Sequence, residues 1–212
     1  MVILTLRDEV LQVLLVKRKV WPYKNRWALP GGFVRMKESL EQAAIRELYE
    51  ETHVKDVYLE QLYTFGNPKR DPRTRVITVA YCALVRSEDL RLSADTDVSD
   101  VRWFPVPSLP RPAFDHGEIL NYAVARLQNK LLYTNIAFQL LPDLFTLTEL
   151  QNTYAAILGK PVDKRNFRKK ILSSGVLEET SSRKQDGRHR PARLYRFVKE
   201  KELEGLIFPK KR

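Results

Sequence analysis

Glu47, Glu50 and Glu51 crowd three carboxylates into five positions of a segment whose apolar residues Leu40, Ala44 and Leu48 recur every fourth place. That recurrence predicts a helix over residues 39–52, on which positions three and four apart are neighbours. Like charges placed so close weaken a bare helix by roughly a few tenths of a kcal/mol per pair. A hard divalent cation with oxygen ligands relieves that cost. Arg46, four residues before Glu50, brings a fixed positive charge to the same patch. Taken alone, the glutamates suit a solvated acidic face as well as a metal site. The residues before them say more. Pro30 cannot donate to a strand ladder, and Gly31-Gly32 permit positive φ, so a strand ends and a loop begins there. Ser39 is the natural N-cap, with Glu41 and Gln42 in a first turn that favours negative or accepting groups.

The full spacing is Gly32, then Glu38, then Arg46-Glu47, then Leu48-x-Glu50-Glu51, with aliphatic Val54 beyond the helix end. It resembles the signature of the Nudix hydrolases. One position departs: His53 stands where that signature ends its helix with glycine. The resemblance implies an α/β/α sandwich with a mixed sheet. It also implies Mg²⁺ or Mn²⁺ held by Glu47, Glu50, Glu51 and Glu38, with Arg46 orienting the glutamates and the metal activating water and screening a pyrophosphate. Arg70-Asp71-Pro72-Arg73, and Ala113-Phe114-Asp115-His116 before a helix expected at 117–132, look like the ADP-ribose-directed branch of the same family. On that likeness Gly32, Arg18, Arg70 and Arg73 are ligand-binding candidates. An arginine fork matches phosphate oxygens; a solvated turn is the plain alternative for Arg70 and Arg73. For His116 a hydrogen bond at the helix start is favoured over catalysis. Asp95, Asp97 and Asp100 lie where such enzymes draw a base, but their spacing singles none of them out.

The elements that must position these groups are strand-rich. Val2–Leu6 and Leu11–Val16, separated by Arg7-Asp8-Glu9, predict a hairpin, and further strands are expected at 57–65, 77–85 and 101–104. Strands on both sides of the helix imply a mixed sheet covered by helices. Cys82, the one cysteine in 212 residues, falls within an apolar strand and reads as a buried residue. A lone cysteine excludes an internal disulfide framework and fits a reducing, cytoplasmic setting. The chain has no secretion signal at its start and no uncharged run long enough to span a bilayer.

The net charge of +11 is lopsided: residues 160–212 hold 17 Lys/Arg against 7 Asp/Glu, a balance of +10. This places a basic module, residues 135–212, after a near-neutral one, residues 1–134. In the second module Phe145-Thr-Leu-Thr148-Glu-Leu150 reads as a strand-like entry and an N-cap, opening a helix to Leu158 that Gly159 stops, and Asp163 caps another, Lys164–Leu172. Phe167, Ile171 and Leu172 are expected as its buried edge, with Arg165, Arg168 and Lys169 facing outward. Two strands, 176–180 and 193–198, follow around a basic loop containing Arg188 and Arg190. Helix, turn, basic helix and basic-tipped hairpin is the order of a winged helix-turn-helix. Lys164, Arg165, Arg168, Lys169, Arg188 and Arg190 are then the DNA-binding candidates. A solvated accessory domain, or an RNA or membrane-surface patch, are the alternatives.

As a whole the chain resembles the Nudix-related transcriptional regulators (NrtR family) of bacterial NAD metabolism. The resemblance implies a homodimer that binds double-stranded operator DNA and responds to ADP-ribose or a related NAD metabolite. The retained carboxylates keep a second reading open, a metal-dependent ADP-ribose pyrophosphatase with an accessory C-terminal domain. A sugar-sensing regulator on the same scaffold fits the metal motif less well.

Overall fold

Asp8 and Glu9 make the first turn. Both take positive φ, 50° and 60°, a conformation that tightly reversed hairpins need. β1 (Val2–Arg7) folds back on itself through them as β2 (Val10–Arg18), in antiparallel register with Leu4 opposite Val13. The computed structural model describes residues 1–55, 57–86, 98–185 and 191–198. Within them the first half continues with β3 (Trp27–Ala28), α1 (Leu40–Thr52), β4 (Tyr58–Phe65), β5 (Thr78–Leu84), β6 (Val98–Pro105) and α2 (His116–Lys130). The sheet runs β3-β2-β1-β5-β4, and β6 also pairs with β2. β1 and β5 are parallel while the other pairs are antiparallel, which makes the mixed sheet expected of a Nudix fold.

Val2, Ile3 and Leu4 are all fully buried. A strand covered on both faces reads as a continuous apolar run instead of an alternating one. On one face Ile3, Leu14, Ala83 and Val85 pack with Leu48 of α1 and with Val54 beyond its end. Burying one such leucine stabilises the fold by roughly 2 kcal/mol, so the apolar stripe of α1 fixes which way its glutamates point. Ala43, Ala44, Leu48 and Thr52 form that stripe. Leu40 leaves the expected pattern: it is exposed and borders a cavity.

Both ends of α1 are tied. Ser39 Oγ accepts from the Gln42 amide at 3.2 Å, and Gln42 Oε1 accepts from the Ser39 amide at 2.8 Å. At the other end His53 adopts the left-handed conformation a glycine would take, φ 57° and ψ 17°, and its amide donates to Tyr49 O at 2.8 Å. A non-glycine there costs on the order of 1 kcal/mol, yet the helix stop is kept. The substitution therefore leaves the geometry of the turn in place.

The chain divides into two compact units, Met1–Ala125 and the stretch beginning at Arg126, and the division falls inside α2. In the second unit α3 (Leu147–Leu158), α4 (Lys164–Ser173), β7 (Leu177–Lys184) and β8 (Ala192–Phe197) follow one another as expected. Thr146 and Glu149 form a capping box, and Gly159 ends α3 at φ 65°. Leu150, Tyr154 and Ile157 of α3 are buried with Phe167 and Ile171 of α4, and Tyr154 meets Phe167 edge-on at 5.1 Å. Phe145, Val176 and Tyr195 close this core. Leu172 does not join it and stays 48% exposed. Phe167 and Ile171 stand one helical turn apart on the buried side, which turns position 172 away from it.

Candidate functional site: a nucleotide cavity and a basic helix

The loop after Pro30 and the first turns of α1 border a cavity of about 300 Å³ in the first unit. Gly32 and Glu47 line it, and they are in contact. A Cβ on residue 32 would collide with Glu47 Oε1, and Gly32 itself is not in the left-handed region. Glycine is needed there for space, to let a carboxylate lie against the backbone. Arg46 gathers the neighbouring acids. Its Nη2 and Nε donate to Glu38 at 2.8 and 3.0 Å, and its Nη1 donates to Glu47 at 2.7 Å and Glu50 at 3.0 Å. These bonds, with a further one from the Arg35 amide, hold the Glu38 carboxyl down to about 2. Glu51 is buried on the same helix.

Three arginines, Arg18, Arg70 and Arg73, share the lining of the cavity. Phe114, at a positive φ of 53°, lies 4.9 Å from the Arg18 guanidinium and 5.8 Å from that of Arg73. Burial, and then the charge of Arg73, pull the Arg18 guanidinium below its ordinary value. An anion between the two would relieve that repulsion. Arg73 is steadied by Asp71 at 2.7 Å. Arg70 is the most enclosed: Nε and Nη2 form a two-pronged pair with Asp115 at 2.8 and 2.7 Å, and Nη1 donates to Thr78 Oγ1 at 2.6 Å. His116 also borders the cavity, and its Nδ1 accepts from the Leu29 amide at 2.9 Å. Burial first, then the positive charges of the amino terminus, Arg70 and Arg18, push His116 down to about 3, so its ring is neutral.

Sequence reasoning named both arginine-bearing and aspartate-bearing segments. It had no means of joining Arg70 to Asp115, which are 45 residues apart and belong to no shared periodicity. Of the three aspartates weighed as a base, Asp100 pairs with Arg102 at 2.6 Å, and Asp95 and Asp97 lie outside the described residues.

In the second unit α4 presents Lys164, Arg165 and Lys169 as exposed cations. Arg168 differs from the outward position expected for it. It is half-buried, and its Nη2 donates to Thr148 Oγ1 at 2.9 Å, bracing α4 against the start of α3. The Asp163 side chain caps α4 by accepting from the Asn166 amide at 2.7 Å. The β7–β8 hairpin is laced by Glu178–Arg196 at 2.8 Å and by Glu179–Arg193. Lys184 near its tip reaches Glu149 of α3 at 2.6 Å. Arg188 and Arg190 lie outside the described residues.

The NUDIX domain pattern matches residues 1–124, and that of the NrtR DNA-binding winged helix domain matches residues 137–197. A repressor of Acinetobacter baylyi described as an "ADPR responsive transcriptional repressor" is 43% identical over 93% of this chain and 80% of its own. The chain belongs to the NrtR family. Shewanella oneidensis NrtR, solved in complex with a 27mer DNA, superposes with a TM-score of 0.81 at 37% identity, over 96% of this chain and 97% of that one. The Nudix domain of the same Shewanella protein, solved with ADP-ribose, is 43% identical over 59% of this chain and 84% of that chain, with a TM-score of 0.53.

Within the NrtR frame the basic helix α4 is the second helix of a winged helix-turn-helix, the element that enters the major groove in that motif. Nudix proteins generally work with divalent metal ions. Glu38, Glu47, Glu50 and Glu51 offer carboxylate oxygens, the right chemistry for a hard cation, and of the four Glu47 lines the cavity. Among the described residues no three acids stand close enough to hold an ion as they are. Arg46 Nη1 donates to both Glu47 and Glu50, so these oxygens are already engaged. By type these donors suit a hard cation; as placed, Glu38, Glu47 and Glu50 are gathered on Arg46. Among the described residues no helix is long and apolar enough to cross a membrane.

Proposed function

We propose that this chain is an ADP-ribose-responsive transcriptional regulator that works as a homodimer. The observation that carries the reading is an arginine-walled Nudix cavity and a winged helix with exposed cations on one polypeptide. The fork-shaped guanidinium groups of Arg18, Arg70 and Arg73 suit the two phosphates of ADP-ribose. Mg²⁺ or Mn²⁺ at Glu47, Glu50, Glu51 and Glu38 would screen the diphosphate. Lys164, Arg165 and Lys169 supply phosphate and base contacts on operator DNA. The test is a gel-shift with the DNA upstream of the protein's own gene. A specific complex that ADP-ribose weakens is expected; failure to prefer that DNA over random sequence overturns the reading.

The intact set of Glu38, Arg46, Glu47, Glu50 and Glu51 favours a second reading beside it, hydrolysis of ADP-ribose at the same site. Incubation with Mg²⁺ then yields AMP and ribose 5-phosphate, and chelator stops the reaction. Gly32→Ala separates site from scaffold. The new Cβ meets only the flexible end of Glu47, so the expected cost to unfolding free energy is that of loosening its bond to Arg46, about 1 kcal/mol. Displacing a carboxylate from its seat is expected to lower Mn²⁺ affinity by about tenfold or more, as changes around a ligand do. Titration of Mn²⁺ by electron paramagnetic resonance checks this, and unchanged affinity would remove Glu47 from the metal site.

A further inference from the structure

The start of α2 is fastened to the walls of the Nudix cavity. Asp115 stands immediately before the helix, and its carbonyl accepts from the amides of Glu118 at 2.9 Å and Ile119 at 3.2 Å. Its carboxylate holds Arg70, a side chain only 5% exposed. Two more ties join the same point to β3 and the residue after it: the Ala113 amide donates to Trp27 O at 2.7 Å, and the Leu29 amide to His116 Nδ1 at 2.9 Å. Fifteen residues long, α2 runs from this fastening past Arg126, where the second unit begins.

Of these ties, the Arg70 pair alone reaches the cavity through a charged group that an anion would compete for. The guanidinium has five N–H groups. Two face Asp115 and one faces Thr78, so two remain for phosphate oxygens at the cavity wall. A diphosphate carries more negative charge than one carboxylate. It draws the same guanidinium toward itself, at the expense of the bond to Asp115.

We propose that the Arg70–Asp115 pair is the link by which an anion in the Nudix cavity acts on α2. A diphosphate shares or takes Arg70, Asp115 loses part of its partner, and the start of α2 shifts about the ties that remain at Ala113 and His116. The second unit grows from that helix, so the shift is delivered by the chain itself. The inference rests on the sensing function above and names its device. For a ligand to move this equilibrium it must bind the two arrangements with different affinity, and the effect on DNA must be matched by an equal effect of DNA on the ligand. Asp115 is thus a positioning residue: it needs no contact with the ligand to set how strongly ligand and DNA oppose one another.

The experiment measures two affinities and their ratio. ADP-ribose is titrated calorimetrically into the full-length protein with chelator present, so that nothing is consumed. The DNA upstream of the protein's own gene is titrated by fluorescence anisotropy, with and without saturating ADP-ribose. In the wild type the ratio of the two DNA affinities is expected within the usual range for such systems, about 5- to 150-fold. In Asp115→Asn the carboxamide keeps shape but not charge. ADP-ribose is then expected to bind more tightly, while DNA affinity without ligand falls to the level the wild type shows with saturating ADP-ribose, so that the ratio collapses toward one. Asp115→Glu, which restores the carboxylate, recovers part of the ratio, an outcome that a merely structural role would not give. Arg70→Lys keeps a charge and loses the fork, so it lowers the ratio without requiring Asp115 to change; it also serves if Asp115→Asn melts early. A full wild-type ratio in folded Asp115→Asn or Arg70→Lys overturns the proposal. A wild type with no ratio at all overturns the sensing function itself and this device with it.

Discussion

Replacing Lys164, Arg165 and Lys169 together by alanine is expected to cut operator affinity by at least about a hundredfold, at roughly 1 kcal/mol or more for each cation that touches the DNA. All three side chains are exposed on α4, whereas the helix is anchored by buried Phe167 and Ile171. Alanine is the strongest helix former, so the melting temperature should hold. The salt dependence distinguishes the kind of contact. Each phosphate neutralised adds about 0.9 to the slope of log affinity against log salt. The triple variant should therefore lose about two to three units of slope if the cations face the backbone. If one of them reads a base, its single replacement instead relaxes preference at one position of the site with little change of slope. Affinity that stays at the wild-type level would mean that α4 is not the DNA-contacting helix. Arg168 is left out of this set because its bond to Thr148 would mix stability with binding.

The pieces legible in the sequence were those encoded by local rules. Ser39 and Asp163 cap the helices they precede, because a cap requires only a short polar side chain at one position; within 145–150, Thr146 is the residue that caps α3. The apolar period of α1, the β-hairpin through Asp8-Glu9 and the stop at Gly159 follow in the same way. Leu40 and Leu172 depart from expectation. Each lies at the margin of an apolar stripe: Leu40 opens its stripe at the rim of the cavity, and Leu172 is turned off the Phe167–Ile171 face by one position. Glu47 against Gly32 was half legible: the motif brought both residues forward, but only packing reveals that glycine is required there for space. The least legible feature was the partnering of the arginines. Arg70 and Arg73 read equally as phosphate-binding or solvated residues. In the structure both are held by aspartates, one two residues away and one 45 away, and no sequence spacing encodes the second.

The neutral histidine at the start of α2 gives stability a pH dependence with a definite sign. His116 is pushed down to about 3 in the folded protein, chiefly by burial, against about 6.5 in an unfolded chain. Between these values the unfolded state binds a proton that the folded state refuses. Stability from this group is therefore complete above pH 6.5 and declines as pH falls toward 3, by up to about 1.4 kcal/mol per pH unit. Replacing the ring with a group that does not titrate isolates this term. In His116→Asn the amide oxygen can still accept from the Leu29 amide, as Nδ1 does at 2.9 Å. The variant loses ring packing against Phe114, whose centroid lies 5.2 Å away, so it should be less stable at pH 7. Lowering the pH should narrow that deficit, since the wild type alone bears the cost of excluding the proton. Between pH 6.5 and pH 5 the gap in unfolding free energy is expected to shrink by about 1.6 kcal/mol. Urea unfolding of both proteins across this range measures it directly. A gap that stays constant with pH would mean that His116 titrates alike in the folded and unfolded chains. In that case the ring would be free to carry charge beside Arg18 and Arg70, and the wall of the cavity would become more cationic in acid.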